Sequence, residues 1–307
     1  MSTFLYIITN IILPIFLLVA AGFIAQKKLK MDTRTISRLN IYLFIPAVLF
    51  MKIYEAKVSL SFVGTVVVYI LAVQIFMMLL GEVLSRIYKY PRSTKKAFSN
   101  TLLFFNSGNY GLPLIDLVFK GSVLASASQI FIMLAQNITT STFGVFQASS
   151  GKSSYKQALK NILIMPAIYV MAAVIIVKVS GLIIPEPVLA PLRYLSSGFI
   201  GLALVTLGVQ LAEVNAKIDI KAVMLSSSIR LILSPALGFL LVLLLGVHGE
   251  LAKAMIIGVA TPTAVNTAIL AREFDNEPEY AAQNVLVSTL LSPITLSILI
   301  FILNRYM

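Results

Sequence analysis

Two long apolar segments of this chain are broken at their centres, and the breaks lie about half a chain apart. The first runs over residues 97–116 and carries Asn106-Ser107-Gly108-Asn109-Tyr110-Gly111-Leu112-Pro113 in its middle. The second runs over residues 256–273 and carries Thr261-Pro262-Thr263-Ala264-Val265-Asn266. Segments this apolar belong in lipid, where every backbone N–H and C=O must find its partner inside the protein. Pro113 and Pro262 donate no hydrogen bond and crowd the preceding turn, while Gly108 and Gly111 allow sharp turns and close backbone approach. Such backbone is tolerated only where protein or a polar cavity satisfies it. Paired interruptions in corresponding halves point to the binding site of a carrier.

The rest of the chain requires the same solvent. Of 307 residues, 59% are hydrophobic and 12% charged, with a mean hydropathy of +0.95, whereas a soluble domain carries about 25% charged residues. Uncharged runs over residues 4–26, 61–80, 125–147, 162–177, 231–247 and 286–303 approach the roughly 20 residues a helix needs to cross the hydrocarbon. Residues 36–54 and 194–213, with the two broken segments, complete an expected ten spans in an all-α integral membrane protein. The absence of cysteine excludes disulfides and thiolate chemistry. H-E-x-x-H, nucleophile-elbow, Walker A and Rossmann patterns are all missing, so the sequence predicts a non-enzyme that runs on gradients or facilitation.

The net charge of +12 is a matter of topology. Sixteen basic residues, among them Lys27, Lys28, Lys30, Arg34, Arg38, Lys95, Lys152, Lys217 and Arg272, fall on one side of the expected spans, and seven on the other. The positive-inside rule places the first set in the cytoplasm and both termini outside a multi-pass cell (inner or plasma) membrane. Contact with anionic lipid uses the same charges. No basic stripe with interleaved aromatics stands out, so nucleic acid is not an expected partner.

The halves echo one another. Pro14 and Pro166, Pro113 and Pro262, and Gln129 and Gln283 are separated by nearly equal offsets. Five spans per half would invert the second (residues 151–307) relative to the first (1–150) and give pseudo-symmetry in the membrane plane. The competing account is chance repetition in an apolar sequence.

At the breaks, Asn106, Asn109, Tyr110, Gly111 and Pro113 on one side and Thr261, Pro262, Thr263 and Asn266 on the other are the candidate substrate-binding residues. Gln136 and Asn137, mid-span in the fifth segment, join them. Two half-helix N-termini converging there would favour an anion without a buried Lys or Arg. The competing reading of each Asn is interhelical glue, worth about 0.6 kcal/mol on average. No cofactor is expected. A coupling Na⁺ would find Gln129, Gln283 and unwound carbonyls, and Asp116 could take a proton or cation if it is not simply solvated. Asn40 and Gln210 are lone amides in the second and seventh spans. Arg230 is expected to face the bundle interior or snorkel to the interface.

The two motifs, Asn106-Ser-Gly-Asn-Tyr-Gly111-Leu-Pro113-Leu and Thr261-Pro262-Thr-Ala-Val-Asn-Thr-Ala-Ile-Leu-Ala271-Arg272-Glu273-Phe274, resemble those of the auxin efflux carrier family. Its plant members export auxin, and some bacterial members are regarded as malate or malonate permeases. The resemblance extends over essentially the whole chain. It implies a homodimeric ten-helix carrier with a 5+5 inverted repeat, related in architecture to bile-acid sodium symporters. Spans 1, 2, 6 and 7 would form the scaffold and spans 3–5 and 8–10 the transport domain, with helices 4 and 9 crossing at Pro113 and Pro262. It also makes Asn106 the substrate-contacting asparagine. The long cytoplasmic loop of many plant members is absent, leaving a short junction around residues 149–154. The expected function is secondary transport of a small organic anion, a mono- or dicarboxylate such as malate or an auxin-like acid, by elevator-type alternating access. The alternative is a sodium-coupled symporter of an organic solute.

Overall fold

The computed structural model describes residues 3–149, 155–214 and 220–307. Most of the junction at 149–154, with Lys152, and also Lys217 lie outside the described residues. The helices are α1 (Thr3–Leu29), α2 (Thr33–Glu55), α3 (Leu60–Ile87), α4 (Arg92–Leu103), α5 (Leu112–Val118) and α6 (Val123–Ala148) in the first half. The second half contributes α7 (Tyr155–Leu163), α8 (Pro166–Ser180), α9 (Glu186–Ala212), α10 (Val223–Leu244), α11 (Gly249–Val259), α12 (Val265–Glu273) and α13 (Pro278–Tyr306). Seven of them, α1, α2, α3, α6, α9, α10 and α13, are long and apolar enough to cross a membrane, and α8 is a shorter apolar helix. Large apolar side chains such as Leu17, Ile24, Ile75, Leu79, Ile176 and Leu244 remain exposed around the outside. Apolar surface on that scale suits lipid as the surrounding medium. The protein is an all-helical, multi-pass membrane protein.

Proline shapes the helices in one recurring way. Pro14, Pro46, Pro113 and Pro235 each stand two residues after a π-helical turn, at Ile8–Ile12, Asn40–Phe44, Ser107–Gly111 and Ile229–Leu233. A proline ring presses on the carbonyl four residues earlier, and the wider π turn relieves that pressure without ending the helix. A fifth π turn, Thr140–Gly144, interrupts α6. Pro166 behaves differently from Pro14, its partner in the sequence echo. It opens α8 after extended Met165, as the restriction on the residue before proline requires.

The tightest helix crossing joins α1 to α9. A Cβ placed on Gly22 would lie 2.1 Å from Val205 O, and one on Gly208 would lie 2.0 Å from Val19 O. Small residues at such a crossing let the two backbones touch, which is how membrane helices gain packing when lipid supplies no hydrophobic drive.

The helical backbone is interrupted between α4 and α5 and again between α11 and α12. After α4, residues 104–106 leave the helix; after α11, residues 260–264 do the same. The two stretches pair antiparallel at Phe105 and Thr263. Ala264 N donates to Phe104 O at 3.0 Å, and Asn106 N donates to Pro262 O at 2.8 Å. Side chains serve the groups left over. Gln136 Nε2 donates to Phe105 O and to Ser107 Oγ, while Gln136 Oε1 accepts from Phe105 N at 3.5 Å. Ser288 Oγ accepts from Thr263 N at 3.1 Å, and Gln129 Nε2 donates to Ser107 O at 2.8 Å. The backbone freed by each interruption is thus met by the other interruption or by a buried side chain.

Two outcomes follow. Gly208→Val is expected to cost about 1–3 kcal/mol or more through overpacking and to lower the thermal midpoint in detergent. Gly201→Ala, where a Cβ meets nothing within 4 Å, serves as the silent control. Gln136→Ala leaves the Phe105 N–H without its acceptor in the interior, while the Phe105 carbonyl keeps Ser107 N as a donor. It is expected to cost about 1–3 kcal/mol, read as a lower midpoint without any ligand. An unchanged midpoint in either Gly208→Val or Gln136→Ala would contradict the packing or the hydrogen bonding described.

Candidate binding site at the crossing

Beside the paired stretches lies a cavity of about 290 Å³. The start of the Ser107–Gly111 turn and the first residues of α12 form one wall, and three of the five π turns contribute lining residues: Asn40, Ser107 and Thr140 among them. Widened turns of this kind occur often at functional sites, since they release backbone and re-aim side chains.

Of the residues expected to bind substrate, Asn106, Asn109, Asn266, Gln136 and Asn137 line this cavity. Asn106 Nδ2 is buried and has no hydrogen-bond partner. Asn266, in the first turn of α12, is exposed to the cavity. Asn109 Oδ1 accepts from Asn40 Nδ2 at 2.8 Å, which ties the interrupted segment to α2. Gln136 lines the cavity but spends its amide on the backbone of Phe105, so its work there is structural.

The remaining expected residues support the crossing from behind and do not line the cavity. Tyr110 is fully buried, its hydroxyl 2.9 Å from Ser292 Oγ on α13. Thr261 Oγ1 donates to Gly258 O at 3.1 Å, and Thr263 Oγ1 donates to Thr101 O at 3.2 Å. Pro262 supplies the carbonyl that receives Asn106 N, and Pro113 starts α5 in a buried position. Gly111 makes room for Gln129: a Cβ on it would lie 2.4 Å from Gln129 Nε2, and one on Gly258 would lie 2.3 Å from Gln129 Oε1. The amide of Gln129 is therefore seated between the two interrupted segments, with Oε1 buried and unpartnered. Gln283 is buried on α13 and lines neither this cavity nor its vestibule.

Three contributions went unassigned in the sequence. Asn40 and Gln210 line the cavity from α2 and α9, and each keeps a buried, unpartnered side-chain oxygen. Met165, Pro166 and Ala167, at the start of α8, close another side. A lone amide in an otherwise apolar span is expensive unless it serves a site, and that was the available signal for Asn40 and Gln210. The kink at Met165–Pro166 was legible only as another proline.

No charged residue lines the cavity. Ser37, Gln210, Val265 and Ile269 also line a larger vestibule of about 700 Å³, whose walls carry charges of both signs, Arg34 and Arg272 with Asp32, Glu213 and Glu273. The vestibule opens on the side that holds most of the basic residues. At its mouth Asp32 caps α2, and hydrogen bonds from the Thr35 hydroxyl and the Arg34 N–H hold its carboxyl below the usual carboxylate range. At the other end of α2, Lys52 Nζ sits 2.6 Å from Asp116 Oδ1 on α5 and donates to Gly121 O at 3.4 Å. Asp116 is thus an ion-pair partner rather than an isolated solvated acid, and it bridges α2 to the interrupted segment.

The family description "membrane transport protein" matches residues 7–300. Among curated relatives, an uncharacterized transporter of Methanocaldococcus jannaschii is 25% identical over 302 residues, covering 94% of this chain and 96% of the relative. An uncharacterized transporter of Methanothermobacter thermautotrophicus is 23% identical over 299 residues, with the same coverage of 94% and 96%. The chain belongs to the membrane transport protein family, the family of the auxin efflux carriers.

Proposed function

We propose that this protein is a secondary carrier of a small organic anion, a mono- or dicarboxylate, bound in the cavity at the crossing. The observation that carries this reading is the donor set of that cavity. It contains the free Asn106 Nδ2, the exposed Asn266 and the N-terminal turn of α12, and it holds no acid that would repel an anion. Helix N-termini and amide donors stabilise a carboxylate at low cost. The volume lies at the lower end of the range of ligand pockets, which favours a small acid such as malate over a bulky one.

Alternating access has support of its own. The cavity lies between Asn40 and Gln210, on helices of the expected scaffold, and the interrupted segments of the expected transport domain. In the ten-span, 5+5 reading, α4 with α5, α7 with α8, and α11 with α12 each count as one span. Sliding of the crossing against α2 and α9 would carry the site across, with the vestibule as its cytoplasmic entrance and the Lys52–Asp116 pair as a tie on the opposite side. Gln129 Oε1, buried without a donor, favours a second reading in which a sodium ion is co-transported.

Binding tests the first reading. The purified protein is expected to gain thermal stability from at least one small mono- or dicarboxylate, by mass action on the folded state. Asn106→Ala removes a hydrogen bond to a charged group, worth about 1.5–3 kcal/mol, and should weaken that acid by roughly 10- to 100-fold. If no carboxylate stabilises the protein, or the variant binds as the parent does, the proposed site is wrong.

A further inference from the structure

Among the described residues Arg230 is one of the largest fully buried side chains, and it stands at the crossing. Its Nη1 donates to Leu102 O at 2.8 Å, in the last turn of α4. Its Nη2 donates to Val259 O, at the last residue of α11, and to Ser234 Oγ, which itself donates to Val259 O at 3.0 Å. The guanidinium carbon lies 4.8 Å from the centre of the Phe105 ring, the residue that pairs with Thr263. Among the described residues, the four ion pairs all involve other side chains, so no carboxylate balances this charge.

A buried cation without a counter-charge is strongly disfavoured. Here the compensation comes from the backbone. Each helix C-terminus carries about half a negative elementary charge, and two such ends meet at one guanidinium. The planar fork of Arg reaches both helices at once, which a point charge on a Lys stem does not reproduce, and the Phe105 ring adds a cation–π contact. In carriers built on discontinuous helices, such carbonyl ends are where a coupling Na⁺ is held. In this protein those carbonyls are already occupied.

We infer that Arg230 is a resident cation of the crossing, filling the place of a coupling metal ion at the C-terminal ends of α4 and α11, so that the anion site works without Na⁺. This rests on the carboxylate reading above and argues against Na⁺ at those helix ends, while the unpartnered Gln129 Oε1 lies outside the Arg230 contacts and is tested by the salt comparison below. Arg230 is a positioning residue: it ties the ends of α4 and α11 together without lining the cavity, and its charge favours an anion there.

The test compares thermal midpoints and carboxylate binding of the purified protein in Na⁺, K⁺ and choline. The unaltered protein is expected to show the same midpoint and the same affinity in all three. In Arg230→Gln, the midpoint without carboxylate falls, and millimolar guanidinium or Na⁺ restores part of it. Carboxylate affinity in choline weakens by about tenfold or more and recovers when either cation is added. A purely structural Arg230 would lower the midpoint without making binding cation-dependent. Arg230→Lys, which keeps the charge and loses the fork, is expected to fall between the two. Should Arg230→Gln fail to fold, the Lys variant and the salt comparison on the unaltered protein decide the matter. A sodium requirement in the unaltered protein, or a Gln variant with unchanged midpoint and binding, overturns the inference. The midpoints read without carboxylate separate this outcome from failure of the anion site, which would appear as no carboxylate stabilising the unaltered protein.

Discussion

The structure depends on the antiparallel pairing of residues 104–106 with 262–264. Unwinding a helix inside a membrane leaves backbone groups with no water to meet them, a cost of several kcal/mol for each group left unsatisfied. Either interruption alone would carry that cost. Together they supply each other with two backbone hydrogen bonds, from Ala264 N to Phe104 O and from Asn106 N to Pro262 O. Gln136 from α6 and Ser288 from α13 complete the set at Phe105 and Thr263. The crossing is therefore a mutual arrangement, and a helix kinked by proline alone could not have reached it.

Electrostatic asymmetry follows from the same pairing. The C-terminal carbonyls of α4 and α11 converge on one cation, Arg230, while the first residues of the next helical segments line a cavity free of charged side chains. Positive charge on one side and donor-rich helix starts on the other are the features on which the proposed anion site rests. No acidic residue takes part. Around this centre the protein holds α1 and α9 in backbone contact at Gly22 and Gly208, the close packing that the proposed alternating access would use as its fixed support.

Much of this was legible in the sequence because Pro, Gly and Asn stand out in the middle of apolar segments. The positions of both interruptions, and Asn106, Asn109, Asn137 and Asn266 at the cavity, follow from polar residues placed where only apolar ones are cheap. What the sequence does not reveal is which polar groups the backbone consumes. Thr261, Thr263, Tyr110 and Gln136 have the same chemistry as the cavity residues, yet Thr261 is engaged by the carbonyl of Gly258 one turn earlier, and the other three by a carbonyl or hydroxyl from a distant part of the chain. Asn40 and Gln210 reach the cavity from helices remote in sequence, so no local pattern joins them to Asn106. The kink before Pro166 and the burial of Arg230 are likewise tertiary facts. The rule that intramembrane charges face the interior anticipates the direction of Arg230, and its two helix ends become visible only in the assembled fold.

The proposed small anion would occupy the uncharged cavity at the crossing. The chain has no cysteine, so a single cysteine can report on that space. Ile269, on α12, lines both cavity and vestibule and makes no polar contribution to the proposed site. Ile269→Cys is predicted to react with a membrane-impermeant, negatively charged thiol reagent applied from the cytoplasmic side. A small carboxylate should slow that reaction, and an uncharged analogue of equal size should not. A reaction rate indifferent to every carboxylate tested, at saturating concentration, would rule out an anion in this cavity.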